Sequence, residues 1–71
     1  MRYNLWSIDP QKVNALRISK RISYDQLAQA ANRHHVTVRR WCTGTEAYKV
    51  TDASMLALCG ALGCDPSDIR A

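Results

Sequence analysis

The stretch ISYDQLAQAANRHHVTVRRWCTG, residues 22–44, decides the fold. Leu27, Ala28 and Ala31 recur at helical spacing and stop at Asn32, while Val38 and Trp41 form a second apolar i, i+3 pair. Around a 3.6-residue helix, His35, Val36, Arg39, Arg40 and Thr43 fall on the face opposite that second pair. The segment therefore reads as two short amphipathic helices joined by a tight polar break, the second carrying a basic stripe.

Length and charge narrow the setting. A chain of 71 residues makes one small domain, able to bury only about 60% of the surface its unfolded form exposes, which argues against an enzyme with a deep pocket. The formal net charge is +4, and its distribution matters more than its total. Between Lys12 and Lys49 stand Lys12, Arg17, Lys20, Arg21, Arg33, Arg39, Arg40 and Lys49, against Asp25 and Glu46. From Val50 onward Asp52, Asp65 and Asp68 face Arg70 alone. A basic segment followed by a mildly acidic one suggests a single polyanion-facing side, although a solvated basic surface gives the same count. The helical placement of Arg39 and Arg40 favours the first reading, because the DNA major groove admits a helix.

No stretch approaches the roughly 18 apolar residues of a membrane span, and MRYNLWSIDP lacks the apolar core and cleavage site of a secretory signal. Three cysteines, Cys42, Cys59 and Cys64, cannot all pair within one chain, so a reducing, cytoplasmic location is expected. His34 and His35 beside cysteines invite a zinc site. No Cys-x-x-Cys occurs, however, and Cys59 and Cys64 flank a helix end, so neither metal nor cofactor is expected. Cys42 is expected to be exposed, without an organised partner for catalysis. No acid–base pair or phosphate loop supports an enzyme.

Asp9-Pro10 reads as N-cap and first residue of a helix to about Lys20, with Val13 and Leu16 as its apolar edge. Ser23 caps a second helix through Ala31, and Asn32 can adopt the left-handed conformation of a sharp turn. A third helix runs from about His35 to Thr43, and Gly44 stops it. After a loop over 45–50, Thr51 or Asp52 caps a fourth, whose Met55, Leu56, Leu58, Cys59 and Leu62 read as largely buried, ending at Gly63. Asp65-Pro66 starts a final short turn using Ile69. The expected fold is all-α, a compact five-helix bundle without a credible strand. Residues 1–8 are an extension, with Leu5, Trp6 and Ile8 docking on the bundle or a partner chain, and 9–71 form the domain.

With these residues in view, the chain resembles the Cro and lambda-repressor type of helix-turn-helix domain, the XRE family, from about Val13 to Ile69. Leu16-Arg17 with Lys20, Ile22 and Ser23 resembles the family's first helix and the approach to its second. Leu27-Ala28 and Ala31, then Val38 and Trp41, match the packing positions of the second and third helices. Gly44 and LALCGALGCDPSDI complete the likeness. Departures are Asn32 and Arg21 in place of frequent glycines, and Arg33 in place of an apolar residue, its stem covering the core with its guanidinium outward. Arg17, which members often pair with an acid, meets Cys42 at that position. Its partner is then Glu46, a backbone carbonyl or a phosphate.

The resemblance implies a helix-turn-helix over about 23–44 with its third helix in the major groove. His35, Val36, Arg39 and Arg40 then become base readers, Arg39 alternatively meeting a flanking phosphate, and Ser23, Tyr24, Thr37, Thr43 and Lys49 phosphate contacts. It further implies a sequence-specific duplex-DNA regulator, a Cro-like repressor of phage or mobile-element type, acting as a homodimer on a palindromic operator. With no room for a sensing domain, regulation would come from concentration, a partner or competing operators. Two other readings stay open. One is an antitoxin-like autoregulator that also binds a toxin, and the other a protein-interaction module without DNA.

Overall fold

Each helix begins on a side-chain cap that the local sequence supplies. In the computed structural model, which describes residues 5–71, Asp9 accepts from the Gln11 amide at 2.9 Å. Pro10 then opens α1, Pro10–Ser19. Ser23 Oγ accepts from the Gln26 amide at 3.1 Å while Gln26 Oε1 accepts from the Ser23 amide at 2.9 Å. This reciprocal box starts α2, Tyr24–Ala31. His34 caps α3, His35–Cys42, by accepting the Val36 amide on Nδ1 at 3.3 Å. Thr51 caps α4, Asp52–Leu62, through the Ser54 amide.

Three of the four helices end on a residue in the left-handed region. After α1 this is Arg21 (φ 56°), after α2 Asn32 (φ 54°), and after α4 Gly63 (φ 65°). In each case the following amide reaches back five residues: Ile22 to Arg17, Arg33 to Ala28, and Cys64 to Cys59, at 3.0–3.1 Å. This is the Schellman closure, which satisfies carbonyls that the helix leaves open. Arg21 therefore gives α1 a well-defined end despite lacking glycine. The Arg33 guanidinium turns back to donate to the carbonyls of Ala31 and Asn32, a favourable placement for a cation at a helix C-terminus. The third helix differs: it stops at Cys42, with Thr43 extended and Gly44 at φ 105°.

The expectation of a five-helix, purely α bundle is corrected in two ways. Among the described residues four α-helices are present, and the segment after Asp65 forms only a 3-10 turn, Pro66–Asp68. A small sheet also exists where loop and extension were expected: β1, Leu5–Ile8, pairs antiparallel with β2, Tyr48–Thr51. The register sets Trp6 opposite Val50 and Ile8 opposite Tyr48. On its other side β1 meets the C-terminal residues, through an Ile8–Arg70 bridge and an Ala71 amide donating to the Ser7 carbonyl at 2.8 Å. Residues 1–4 of the expected extension lie outside the described residues. Leu5 to Ile8 are a strand, with Ile8 fully buried and Trp6 donating to Asp52 Oδ1 at 2.9 Å.

One core joins these parts. Ile8, Val13, Leu27, Val38, Trp41, Val50, Met55, Leu58, Leu62 and Ile69 meet in it. The second helix packs against the third and fourth, and the first against the third. Leu56, expected inside, is 60% exposed, because it lies between the inward stripe Met55–Leu58–Cys59 and solvent. Cys42, expected outside, is buried beside Trp41.

Two stability measurements check this account. Ile8→Ala is expected to cost about 2–5 kcal/mol in urea unfolding, a core penalty that a loosely docked extension would not show. Arg21→Gly is expected to stabilise by about 1 kcal/mol, since only a residue with a Cβ is strained at that φ. The melting temperature should then rise by about 4–8 °C.

Candidate nucleic-acid interface

The third helix divides cleanly into two faces. Val38, Trp41 and Cys42 are buried, whereas His35, Val36, Arg39 and Arg40 are exposed. Val36, 44% exposed, is an apolar group among cations. Two guanidiniums, an imidazole and an isopropyl group together present hydrogen-bond donors and one apolar contact, complementary to base edges in a major groove. The His34 and His35 rings stack with centroids 4.4 Å apart, which gives the N-terminal end of the helix a flat aromatic edge.

The remaining sequence-predicted residues take up varied positions. Thr37 is half-buried. Thr43 is exposed, and its hydroxyl donates to the Arg39 carbonyl at 2.8 Å, leaving its lone pairs for other donors. Ser23 is exposed but already engaged as the cap of α2. Tyr24 is half-buried against the core, at the first turn of that helix. The fold brings Tyr24 and Arg39 together from different helices, the Arg39 guanidinium carbon lying 5.7 Å from the ring centroid. Lys49 belongs to another element, exposed on β2 opposite Ser7.

Sequence reasoning missed Asn14 and the capping role of His34. Arg17 finds a backbone carbonyl, that of Ile22, at 2.9 Å, but also Asn14 Oδ1 at 2.8 and 3.1 Å. Its guanidinium lies over the Tyr24 ring, 4.2 Å from the centroid. Asn14 and Arg17 stand at i, i+3, a spacing legible in the sequence; their meeting with Tyr24 is not. His34 as the cap of α3 was also legible, since an imidazole nitrogen can accept an amide much as Asn or Ser oxygen does.

The thiols are chemically quiet. Burial pushes the Cys42 thiol up from its ordinary value, against a smaller opposing pull from Arg17. Burial, reinforced by Cys64, Asp65 and Asp68, pushes Cys59 up to about 11. Cys64, half-buried, is raised mainly by burial, with Cys59 and Lys20 pulling the other way. Among the described residues no group of three or more His, Cys, Asp or Glu side chains is placed to hold a metal ion, and no helix is long and apolar enough to cross a membrane.

Burial of the Cys59 thiol makes stability depend on pH at the alkaline end. The unfolded thiol ionises near 9 and the folded one near 11, so its contribution is fully present below pH 9 and is lost as pH climbs towards 11. Comparing urea stability from pH 8 to 11, Cys59→Ala should lose less with rising pH than the parent. Parallel curves would contradict this.

The sequence model of the Cro/C1-type HTH DNA-binding domain matches residues 12–70. Among curated proteins none matches the sequence significantly. Among solved structures, the chain is similar to the restriction-modification controller protein C.AhdI from Aeromonas hydrophila. The TM-score is 0.65 at 24% identity over 83% of this chain and 86% of that one, a likeness of fold. It is also similar to part of PhpD, in its native form with cadmium atoms (TM-score 0.73) and with cadmium complexed with hydroethylphosphonate (0.72). In both, identity is 26% over 90% of this chain, which spans only 13% of PhpD.

Proposed function

The chain belongs to the Cro/C1-type helix-turn-helix DNA-binding family, and from that membership we propose that it is a transcriptional repressor binding a palindromic operator as a homodimer. The observation that carries this reading is the outward face of α3, where Arg39 and Arg40 stand exposed while Val38 and Trp41 are buried beneath them. In this reading the third helix enters the major groove. Arg40, His35 and Val36 meet base edges, and Arg39 a base or flanking phosphate. An arginine suits guanine O6 and N7, and an isopropyl group the thymine methyl.

Phosphate contacts come from Tyr24, Thr37, Thr43 and Lys49, with Ser23 contributing its hydroxyl proton. Such contacts set register and orientation without reading sequence. A single module of this size offers a small interface. Two copies on half-sites about 34–36 Å apart would raise both affinity and specificity. Leu56 on α4 and Leu5 on β1, both exposed, are apolar groups available to a dimer contact.

Selection of bound duplexes from a random pool, at stated salt, tests the reading. A two-fold-symmetric enriched motif is the expected result, and no enrichment over bulk duplex would reject specific recognition. With about six phosphates neutralised per dimer, log K should fall against log salt with a slope near −5, about −0.9 per phosphate. Replacing Arg39 and Arg40 together by alanine should abolish the enriched binding while leaving the circular dichroism melt within a few degrees of the parent. Retained binding would sink the assignment.

A further inference from the structure

The contact between Tyr24 and Arg39 begins in α1. Asn14 Oδ1 accepts from Arg17 Nε at 3.1 Å and from Nη2 at 2.8 Å, and the Ile22 carbonyl accepts from Nη1 at 2.9 Å. These three bonds tie down the guanidinium, whose carbon lies 4.2 Å from the Tyr24 ring centroid. The ring in turn packs on the core. Arg39 approaches the same ring at 5.7 Å, inside the roughly 6 Å range of cation–π attraction. Among the described residues, no ring or hydrogen-bond partner meets the Arg40 side chain one position on.

Resting on the DNA-binding reading above, we propose that Tyr24 is a positioning residue for Arg39. Its aromatic ring, locked by Arg17, holds the Arg39 guanidinium in place before DNA arrives. A free arginine on a helix surface samples many rotamers and surrenders them on docking, which weakens binding. A ring-held one has already lost part of that freedom. Two guanidiniums near one ring repel each other, so the nearer must be fastened independently, as the Asn14 and Ile22 bonds do. Arg39, farther out and fastened only by the ring, keeps its donors free for a base or a phosphate. The two adjacent arginines thereby differ: Arg39 is preset and Arg40 adapts. This role belongs to the ring of Tyr24 and is separate from any phosphate contact of its hydroxyl.

The test uses the full chain and the duplex enriched by selection. Relative to Tyr24→Phe, which also lacks the hydroxyl, Tyr24→Leu should bind about fivefold more weakly when Arg39 is present and less than about twofold more weakly in the Arg39→Ala background. It should also flatten the same base preference that Arg39→Ala flattens. Tyr24→Phe keeps the ring, so its base preference should match the parent even if overall affinity falls. A DNA-free readout accompanies these titrations. Arg39 side-chain protons should be shifted upfield by the ring current in the parent and in Tyr24→Phe, and not in Tyr24→Leu.

Equal losses with and without Arg39, an altered preference in Tyr24→Phe, or unshifted Arg39 protons in the parent would overturn the proposal. The latter two results stand even if Tyr24→Leu folds poorly. A parent that binds no duplex defeats the DNA reading and this proposal together. A parent that binds duplex but lacks the Tyr24–Arg39 coupling defeats the positioning role alone.

Discussion

Burial of Trp41 with Val38 is the constraint from which the rest of the molecule takes its orientation. A tryptophan buries roughly 150–250 Å², and here it is 2% exposed at the far end of an eight-residue helix. So short a helix has little stability of its own and is held by what it packs against, namely α1 and α2. Because successive residues turn by about 100°, anchoring positions 38 and 41 leaves 36, 39 and 40 no direction but outward. The basic face is thus a consequence of the core, and rolling the helix would expose the indole.

The same packing requires sharp reversals between helices, and the chain makes them in three chemically different ways. Gly63 enters the left-handed region without steric penalty, Asn32 does so at modest cost, and Arg21 at more. The Schellman hydrogen bonds at each site, together with the packing of Ile22 against the core, hold these conformations in place. The break between α2 and α3 is closed further by the Arg33 guanidinium on the carbonyls of Ala31 and Asn32. A cation at the turn therefore has a local structural partner, and the overall positive charge of the segment does not translate residue for residue into groups free for a polyanion.

The sheet shows a different kind of determination. Strand β1 lies between β2 and residues 70–71, drawing the N-terminal side of the domain, its middle and its C-terminal end into one ladder. Nothing local announces it. Each strand has four residues, the two are joined by no hairpin turn, and a pairing between Trp6 and Val50 is invisible to any window short enough to show periodicity. Leu5, Trp6 and Ile8 could be recognised as apolar groups needing cover. Their cover is each other's strand partners and the common core.

Local pattern carried the helical half of the molecule. Caps at Asp9, at Ser23 and at Thr51 or Asp52, the left-handed Asn32, the inward Val38 and Trp41 and the outward Arg39 and Arg40 all follow from spacing and from the hydrogen-bonding capacity of single residues, because a helix is a short-range object. Tertiary structure alone decided the strand pairing, the burial of Cys42, the exposure of Leu56 and the partners of Arg17. Those outcomes depend on which distant side chain fills the neighbouring volume. The meeting of Arg17, Tyr24 and Arg39 is of the same kind. Three helices had to be packed before one aromatic ring could serve two cations.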